Sequence, residues 1–299
     1  GRAARAGHAD RSRRQPMTGE LVADPADPRL RPFRDLQAAV RRRRAADLGR
    51  VPRAAGPDEL LVVEGAIPVG RMLAAGWEAR SVLLTASHRD ALQPLLAAAQ
   101  SRGALVLVGT RELLAQVTGL SSDRGCFATV TRPRWPPRTE PARLAALVER
   151  GRSLVVLAER VTDPANLGAL IRNARAFGCD QALCDPRGAD PLDPRAVRAS
   201  AGQVFELPLV VPDGLLVGAL ALRETLGARL VAATTDRDAV PIERFRRPPH
   251  LLLAVGTEGE GLSPELLAAA DERVTVPLAA GVDSLNVAAA TAVLLHALS

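Results

Sequence analysis

The segment that most clearly indicates the fold class lies in the second half of the chain. It reads LLLAVGTEGEGLSPE and runs from Leu251 to Glu265. Its first five residues, Leu251–Val255, are all apolar, as in a strand of a parallel sheet that is buried on both faces. A glycine-rich turn at 256–261 follows directly, and Ser263 with Pro264 is typical of a helix N-cap and first helical residue. A strand, a turn and a helix in this order indicate an α/β domain.

The glycine-rich turn has the composition of a ligand-binding loop, because glycine lets a backbone approach a ligand closely. It contains no Gly-Lys-Ser/Thr and no Gly-x-Gly-x-x-Gly, so it is neither a P-loop nor a dinucleotide fingerprint. Glu258 stands among the glycines, where a simple connection does not need a carboxylate. The alternative is an ordinary turn between a strand and a helix.

The alternation of strands and helices continues on both sides of this stretch. In the second half, further strands are predicted at Leu154–Ala158, Gln181–Cys184, Val204–Val211, Arg229–Thr234 and Arg273–Val276. In the first half, strands are predicted at Leu60–Val63, Ser81–Leu84, Ala104–Val108 and Cys126–Val130. A Pro- and Arg-rich segment interrupts the pattern. We therefore predict a smaller α/β domain over 31–131, a linker over 132–143 and a larger domain over 144–299.

The beginning of the chain is polar. Residues 1–30 contain Asp-Pro twice and few apolar residues, so we predict a disordered arm. A first helix is predicted at Phe33–Ala46. It contains four consecutive arginines, Arg41–Arg44, which are either a solvated face or an RNA contact.

The composition favours a polyanionic partner. The net charge is +6, and all 39 basic residues are arginine, which pairs bidentately with phosphate. A GC-rich genome is the alternative explanation of the arginine bias. The three cysteines form no Cys-x-x-Cys and the four histidines are scattered, so we expect no metal site. An odd number of thiols without a signal peptide or membrane span predicts a cytoplasmic protein.

A second polar segment follows the predicted strand Leu154–Ala158. Asp163 and Pro164 are typical of the start of a helix, and the apolar residues after them repeat at helical spacing. Asn166 and Arg172 are the polar residues of this helix that a plain core does not require. Taken alone, the segment is better explained by a capped amphipathic helix with surface arginines.

A third polar segment lies near the end of the chain. Val276-Pro277-Leu278 ends a predicted strand, and Ser284-Leu285-Asn286 precedes the apolar helix Val287–Leu298. Either Ser284 or Asn286 is suited to capping that helix, which is the ordinary explanation for each of them.

Together, the three segments resemble the ordered motifs of the SpoU/TrmH RNA 2′-O-ribose methyltransferases of the SPOUT superfamily. Asn166–Arg172 corresponds to Asn-x-Gly-x-x-x-Arg, and Gly256–Leu262 to Gly-x-Glu-x-x-Gly-Leu. The third motif corresponds to Val276–Leu278 and Ser284–Val287. One match is weak evidence, but three in order at strand ends are specific. The first half more loosely resembles the family's accessory substrate-binding domain, a ribosomal-protein-like RNA-binding domain.

The resemblance implies a mostly parallel sheet in a catalytic domain whose C-terminal part threads a trefoil knot, which pattern reasoning alone does not predict. It also implies a homodimer and S-adenosyl-L-methionine as methyl donor, bound largely through backbone groups, with no metal. Carried over by position, the cofactor-binding residues are Gly256, Val276, Leu278 and Leu285.

The resemblance assigns catalysis of methyl transfer to a ribose 2′-hydroxyl to a set of polar residues. Arg172 is either a base or an electrostatic clamp on phosphate and alkoxide; a guanidinium is a poor base because it holds its proton firmly. Asn166, Glu258, Ser284 and Asn286 are expected to position Arg172, the ribose and the cofactor. Ribosomal RNA is the expected substrate, with tRNA as the alternative.

Two other classes of protein are alternatives to a methyltransferase. A non-catalytic RNA-binding protein on the same scaffold is expected to lack the polar motif residues, and all five are present. A dinucleotide-dependent oxidoreductase is expected to have a glycine fingerprint after the first strand of a domain, and none occurs.

Overall fold

The structure is a computed structural model that describes residues 18–34, 36, 60–120, 125–132, 135–136, 138–236, 238–257 and 259–299. In these ranges the chain forms two sheets, one after the other, with helices between most of the strands. The α/β class predicted from the sequence is confirmed. The four arginines Arg41–Arg44 and most of the predicted helix Phe33–Ala46 lie outside the described residues.

The first sheet has five strands in the order β1-β4-β3-β5-β2. Strands β1, β4 and β3 are parallel, and β5 runs antiparallel to both β3 and β2. The elements are β1 (Glu20–Leu21), β2 (Leu60–Glu64), α1 (Ala66–Ala74), β3 (Ala79–Leu84), α2 (Ala86–Ser101), β4 (Leu105–Val108), α3 (Arg111–Thr118) and β5 (Cys126–Thr131).

The prediction of a disordered arm over residues 1–30 is wrong for residues 18–30. Strand β1 adds to the edge of the first sheet beside β4, and a 3₁₀ helix follows at Pro28–Phe33. Leu30 and Phe33 are fully buried in an apolar cluster with α3. Few apolar residues are present here, but Val22, Leu30 and Phe33 are buried, and average polarity does not reveal this.

The second sheet has seven parallel strands in the order β10-β12-β9-β11-β6-β7-β8. Its strands are β6 (Ser153–Ala158), β7 (Gln181–Cys184), β8 (Leu209–Val210), β9 (Arg229–Ala233), β10 (Val240–Pro241), β11 (His250–Val255) and β12 (Glu272–Thr275). Its helices are α4 (Pro141–Arg150), α5 (Pro164–Ala176), α6 (Pro194–Ala199), α7 (Leu215–Leu226), α8 (Pro264–Ala269) and α9 (Val287–Leu298).

Strand β11 explains why the five consecutive residues Leu251–Val255 are all apolar. Leu251, Leu253 and Val255 pack in one apolar cluster with α5 and α9, whereas Leu252 and Ala254 pack in another with α7 and α8. Successive side chains of a strand point to opposite faces, and helices cover both faces of this sheet. Strand β11 therefore shows no alternation of polar and apolar residues.

Two elements of the second half differ from the prediction. Only Leu209–Val210 of the predicted strand Val204–Val211 is extended, because residues 203–205 form a 3₁₀ helix and Pro208 has no N–H for a strand ladder. The short edge strand β10 was not predicted, since two residues carry no periodic signal.

A packed seam joins the two sheets. The Trp77 indole donates a hydrogen bond to the Phe205 carbonyl at 3.3 Å, and the two rings meet edge to face at 5.0 Å. The Arg71 guanidinium donates to the Ala201 carbonyl at 2.7 Å. One apolar cluster runs through both sheets. The part of the chain that forms the first sheet is therefore held in a defined position against the second sheet.

The segment predicted as a linker is partly ordered and buried. Arg132 is buried and forms an ion pair with Asp190 of the second half. Helix α4 begins at Pro141, inside the predicted linker. The proline pattern therefore marks the passage from one sheet to the other, although residues 133, 134 and 137 lie outside the described ranges.

Candidate active site

Three loops meet at one edge of the second sheet. Strands β12, β9 and β11 are parallel neighbours, so the loops that follow Thr275, Ala233 and Val255 leave the sheet at the same edge. These loops, with residues of α9, surround a cavity of about 310 Å³. Ligands in open α/β sheets bind beyond the carboxyl ends of the strands, so this cavity is the candidate binding site.

The glycine turn forms one wall of the cavity by folding tightly on itself. The Gly261 N–H donates to the Thr257 carbonyl at 3.1 Å. A Cβ added at Gly256 would lie 2.2 Å from the Gly261 carbonyl oxygen, which leaves no room for any side chain. Gly261 has φ +67°, a left-handed conformation that favours glycine. The two glycines are therefore required by the shape of the turn.

The residues predicted to bind a cofactor all lie round this one cavity. Gly256 lines it from the turn, Val276 and Leu278 from the loop after β12, and Leu285 from the segment before α9. Ser284, predicted to be catalytic, lines it as well. The structure thus brings the second and third motifs together, and the roles of these residues stay predictions.

A third wall of the cavity was missed by the sequence analysis. Thr234, Thr235 and Asp236 line the cavity from the loop after β9. Asp236 also pairs with Arg273, with 3.2 Å between the charged atoms. One indication of this wall is present in the sequence, since a predicted parallel strand ends at Thr234 and polar residues follow it. The position of that strand, β9, beside β11 depends on strand order, which the sequence pattern does not give.

The first motif touches the third through two asparagines. The Asn286 amide donates to Asn166 Oδ1 at 3.0 Å, and its own oxygen accepts from the Ala288 N–H at 3.0 Å. Asn286 is thus the N-cap of α9, and it holds the start of α9 against the first turn of α5. The Asn173 amide, seven residues beyond Asn166 and on the same helix face, donates to the Ala288 carbonyl at 2.8 Å.

Arg172 lies away from this contact. It is exposed in the middle of α5 and does not line the cavity of its own chain. At 100° per residue, its side chain leaves the helix about 120° from the face that carries Asn166 and Asn173. Glu258 lies outside the described residues. The structure therefore unites Asn166 with Asn286, and Ser284 with the cavity, but it does not bring Arg172 to them within one chain.

The cysteines are unsuited to nucleophilic chemistry. Cys126, Cys179 and Cys184 are buried, and burial raises the pKa of each thiol to about 12. Each is therefore a protonated thiol at neutral pH, and the thiolate is the reactive form. In the described part of the chain, no three side chains of His, Cys, Asp or Glu are grouped as metal ligands, and no helix is long and apolar enough to cross a membrane.

A parallel sheet with a glycine turn and a cavity at three neighbouring strand ends, beside the helix α9, agrees with the SPOUT-type methyltransferase domain that the motif resemblance implies. The comparisons with known proteins agree. Residues 153–296 match the model of the SpoU rRNA methylase family. The chain is 34% identical to a protein of Mycobacterium tuberculosis named as an uncharacterized tRNA/rRNA methyltransferase, over 91% of this chain and 88% of that protein.

Two further relatives have more specific names. The 23S rRNA (guanosine-2′-O-)-methyltransferase RlmB of Acinetobacter baylyi is 28% identical over 72% of this chain and 86% of its own length. The crystal structure of the SpoU methyltransferase AviRb from Streptomyces viridochromogenes, in complex with the cofactor AdoMet, superposes with a TM-score of 0.69. It is 26% identical and is matched over 91% of this chain and 97% of that one.

The chain belongs to the SpoU rRNA methylase family. The resemblance inferred from the three motifs is confirmed, as is the mostly parallel α/β fold. The trefoil knot and the ribosomal-protein-like character of the first domain stay predictions.

Proposed function

We propose that the protein transfers a methyl group from S-adenosyl-L-methionine to a ribose 2′-hydroxyl of ribosomal RNA. The observation that carries the proposal is the cavity at the strand ends, which joins the glycine turn to the third motif in a chain of the SpoU family. Ribosomal RNA is favoured over tRNA because two relatives are named for 2′-O-methylation of 23S rRNA, from Acinetobacter baylyi and Streptomyces viridochromogenes.

The residues round the cavity fit this cofactor. The volume of about 310 Å³ is at the lower end of the range for small-molecule sites. The wall at Gly256 is bare backbone, so main-chain groups are available to a ligand. The backbone at Gly256, Val276 and Leu285 would hold the cofactor, with Leu278 as an apolar contact. S-adenosyl-L-methionine supplies a methyl group on a sulfonium, which is already a good leaving group.

The chain's own residues orient the ribose and stabilise the charge that develops on its oxygen. We assign Arg172 the role of a clamp on the RNA phosphate and the developing alkoxide, since a guanidinium donates hydrogen bonds but does not accept a proton. The 2′-hydroxyl proton passes to an RNA phosphate oxygen or to water as the methyl group is transferred. Asn166 and Asn286 hold α5 against the start of α9, next to the cavity. Ser284 positions the ribose or the cofactor, and Glu258 is assigned a similar role by its place in the second motif.

A homodimer is part of the proposal. Arg172 is exposed and does not line its own chain's cavity, so a site that uses Arg172 is completed more simply by a second subunit. The division into an RNA-binding domain at 31–131, a linker at 132–143 and a catalytic domain at 144–299 is proposed with it, as is a cytoplasmic location.

Two measurements test the proposed function. Calorimetry with S-adenosyl-L-methionine in the presence of a chelator is expected to show binding, and a folded protein that gives no heat with it or with S-adenosylhomocysteine would contradict the cofactor. Mapping of ribose methylations in the rRNA and tRNA of a deletion strain is expected to reveal one lost 2′-O-methyl group in rRNA. Loss of a tRNA methylation instead would correct the substrate.

A further inference from the structure

A buried carboxylate lies directly behind the glycine turn. Glu159 follows strand β6, is 2% exposed and does not line the cavity. It accepts hydrogen bonds from both the backbone N–H and the hydroxyl of Ser263, each at 2.7 Å. A buried carboxylate is costly unless it is fully hydrogen-bonded, so these two bonds account for its place in the core.

Ser263 is the exit of the turn and the start of the next helix. Its hydroxyl donates to Glu159 and accepts from the Leu266 N–H at 3.3 Å, which makes it the N-cap of α8. The Glu159 N–H donates to the carbonyl of Val255, the last residue before the turn, at 2.9 Å. Glu159 therefore contacts the chain on both sides of the turn, at its entry and at its exit.

The next residue reaches the middle of the turn. The Arg160 guanidinium donates to Glu260 at 2.9 Å, and Arg160 has φ +49°, a conformation that is rare for a residue with a side chain. Glu159 and Arg160 thus face the turn together. Nearby, the Arg187 guanidinium lies 3.8 Å from the Glu159 carboxylate, and Asp185 holds it by closer hydrogen bonds.

We propose that Glu159 is a positioning residue that fixes the turn 256–263 in the shape that binds the cofactor. The inference rests on the proposed function, since it assigns the turn to S-adenosyl-L-methionine. Glu159 acts through Ser263 and touches neither cofactor nor RNA. When the carboxylate charge is lost, the turn opens in part of the protein molecules. The fraction of molecules that can bind the cofactor then falls, and the apparent affinity falls with it. Methyl transfer from the loaded enzyme depends on other residues and is retained.

The variants to compare are Glu159→Gln, Ser263→Ala and Asp180→Asn. Glutamine keeps the shape and one acceptor but removes the charge from both hydrogen bonds. Ser263→Ala removes one of the two bonds and is the milder variant. Asp180→Asn is the matched control, because the Asp180 carboxylate accepts the Leu154 N–H at 2.9 Å at the opposite end of β6, and also pairs with an arginine.

Two measurements distinguish a positioning role of Glu159 from a general effect on the stability of the protein. In the ligand-free protein, hydrogen exchange of a peptide covering 256–263 is expected to become faster in Glu159→Gln and, to a lesser degree, in Ser263→Ala. Calorimetry is expected to show that Glu159→Gln raises the Kd of S-adenosyl-L-methionine about tenfold, which matches roughly 1.4 kcal/mol of lost hydrogen bonding. The turnover rate at saturating cofactor is expected to stay within about twofold of wild type, so that the effect falls on KM. Asp180→Asn is expected to leave exchange in the turn and Kd unchanged, even where it lowers Tm.

The outcomes distinguish this inference from the proposed function. If wild type binds S-adenosyl-L-methionine and Glu159→Gln binds it equally well with unchanged exchange in the turn, the inference is wrong and the function stands. If Asp180→Asn raises the Kd as much as Glu159→Gln does, the effect is general destabilisation and the inference is again wrong. If wild type does not bind the cofactor, the proposed function fails, and hydrogen exchange still reports whether Glu159 fixes the turn.

Discussion

The substitution Gly256→Ala tests whether the shape of the glycine turn is needed for binding. The new Cβ would lie 2.2 Å from the Gly261 oxygen and 2.6 Å from the Leu262 nitrogen. Both atoms belong to the backbone, so no side-chain rotation relieves the clash and the turn itself must open. Overpacking of this kind costs about 1–3 kcal/mol. If the opened turn loses that amount of binding free energy, the Kd of S-adenosyl-L-methionine rises roughly 5- to 150-fold.

Gly259→Ala is the matched control for this prediction, because Gly259 lies in the same turn and a Cβ there has no atom within 4 Å. Calorimetry gives the Kd of each variant, and thermal unfolding shows that each is folded. We expect a raised Kd for Gly256→Ala and a nearly unchanged Kd for Gly259→Ala. Equal affinities of wild type and Gly256→Ala would refute the reasoning, as would equal losses in the two variants.

The remaining predictions concern the motif residues, the helix packing and the thiols. Arg172→Ala is expected to slow single-turnover methyl transfer to rRNA roughly 10²–10³-fold with little change in cofactor Kd, and Arg172→Lys to rescue poorly; near-native rates would remove Arg172 from the site. Asn286→Ala is expected to lose about 1 kcal/mol of stability in urea unfolding together with activity. Asn286→Asp keeps the cap but cannot donate to Asn166, so it is expected to lose activity alone. Gly168→Ala places a Cβ 2.3 Å from the Ala196 carbonyl oxygen and is expected to lower the urea midpoint, since α5 and α6 must separate. The three buried cysteines, whose thiol pKa burial raises to about 12, are expected to resist alkylation at neutral pH until the protein is denatured.

Local sequence patterns predicted the elements of the second sheet well, because each pattern has a local physical cause. Strands β6, β7, β9, β11 and β12 are buried apolar runs, and their predicted bounds differ from the observed ones by one residue or less at each end. The caps of α5 and α8 are observed at Asp163 and Ser263, where a side-chain oxygen accepts from the first turn of the helix. The predicted arm is wrong over residues 18–30 because the burial of Val22 and Leu30 depends on a sheet edge built by distant residues.

The candidate site contains residues that the sequence patterns did not indicate, because the order of the strands decides which loops are neighbours. The second and third motifs are close because β11 and β12 both flank β9, although β9 carries no motif. The cavity therefore includes Thr234–Asp236, which no motif indicated. Glu159, which accepts hydrogen bonds from Ser263 at the end of the glycine turn, is marked in the sequence pattern only as the residue after a strand. Arg172 belongs to the first motif yet leaves α5 on a different face from Asn166. A motif thus groups residues along the sequence, whereas the order of the strands, and in our proposal a second subunit, decides which of them meet in one cavity.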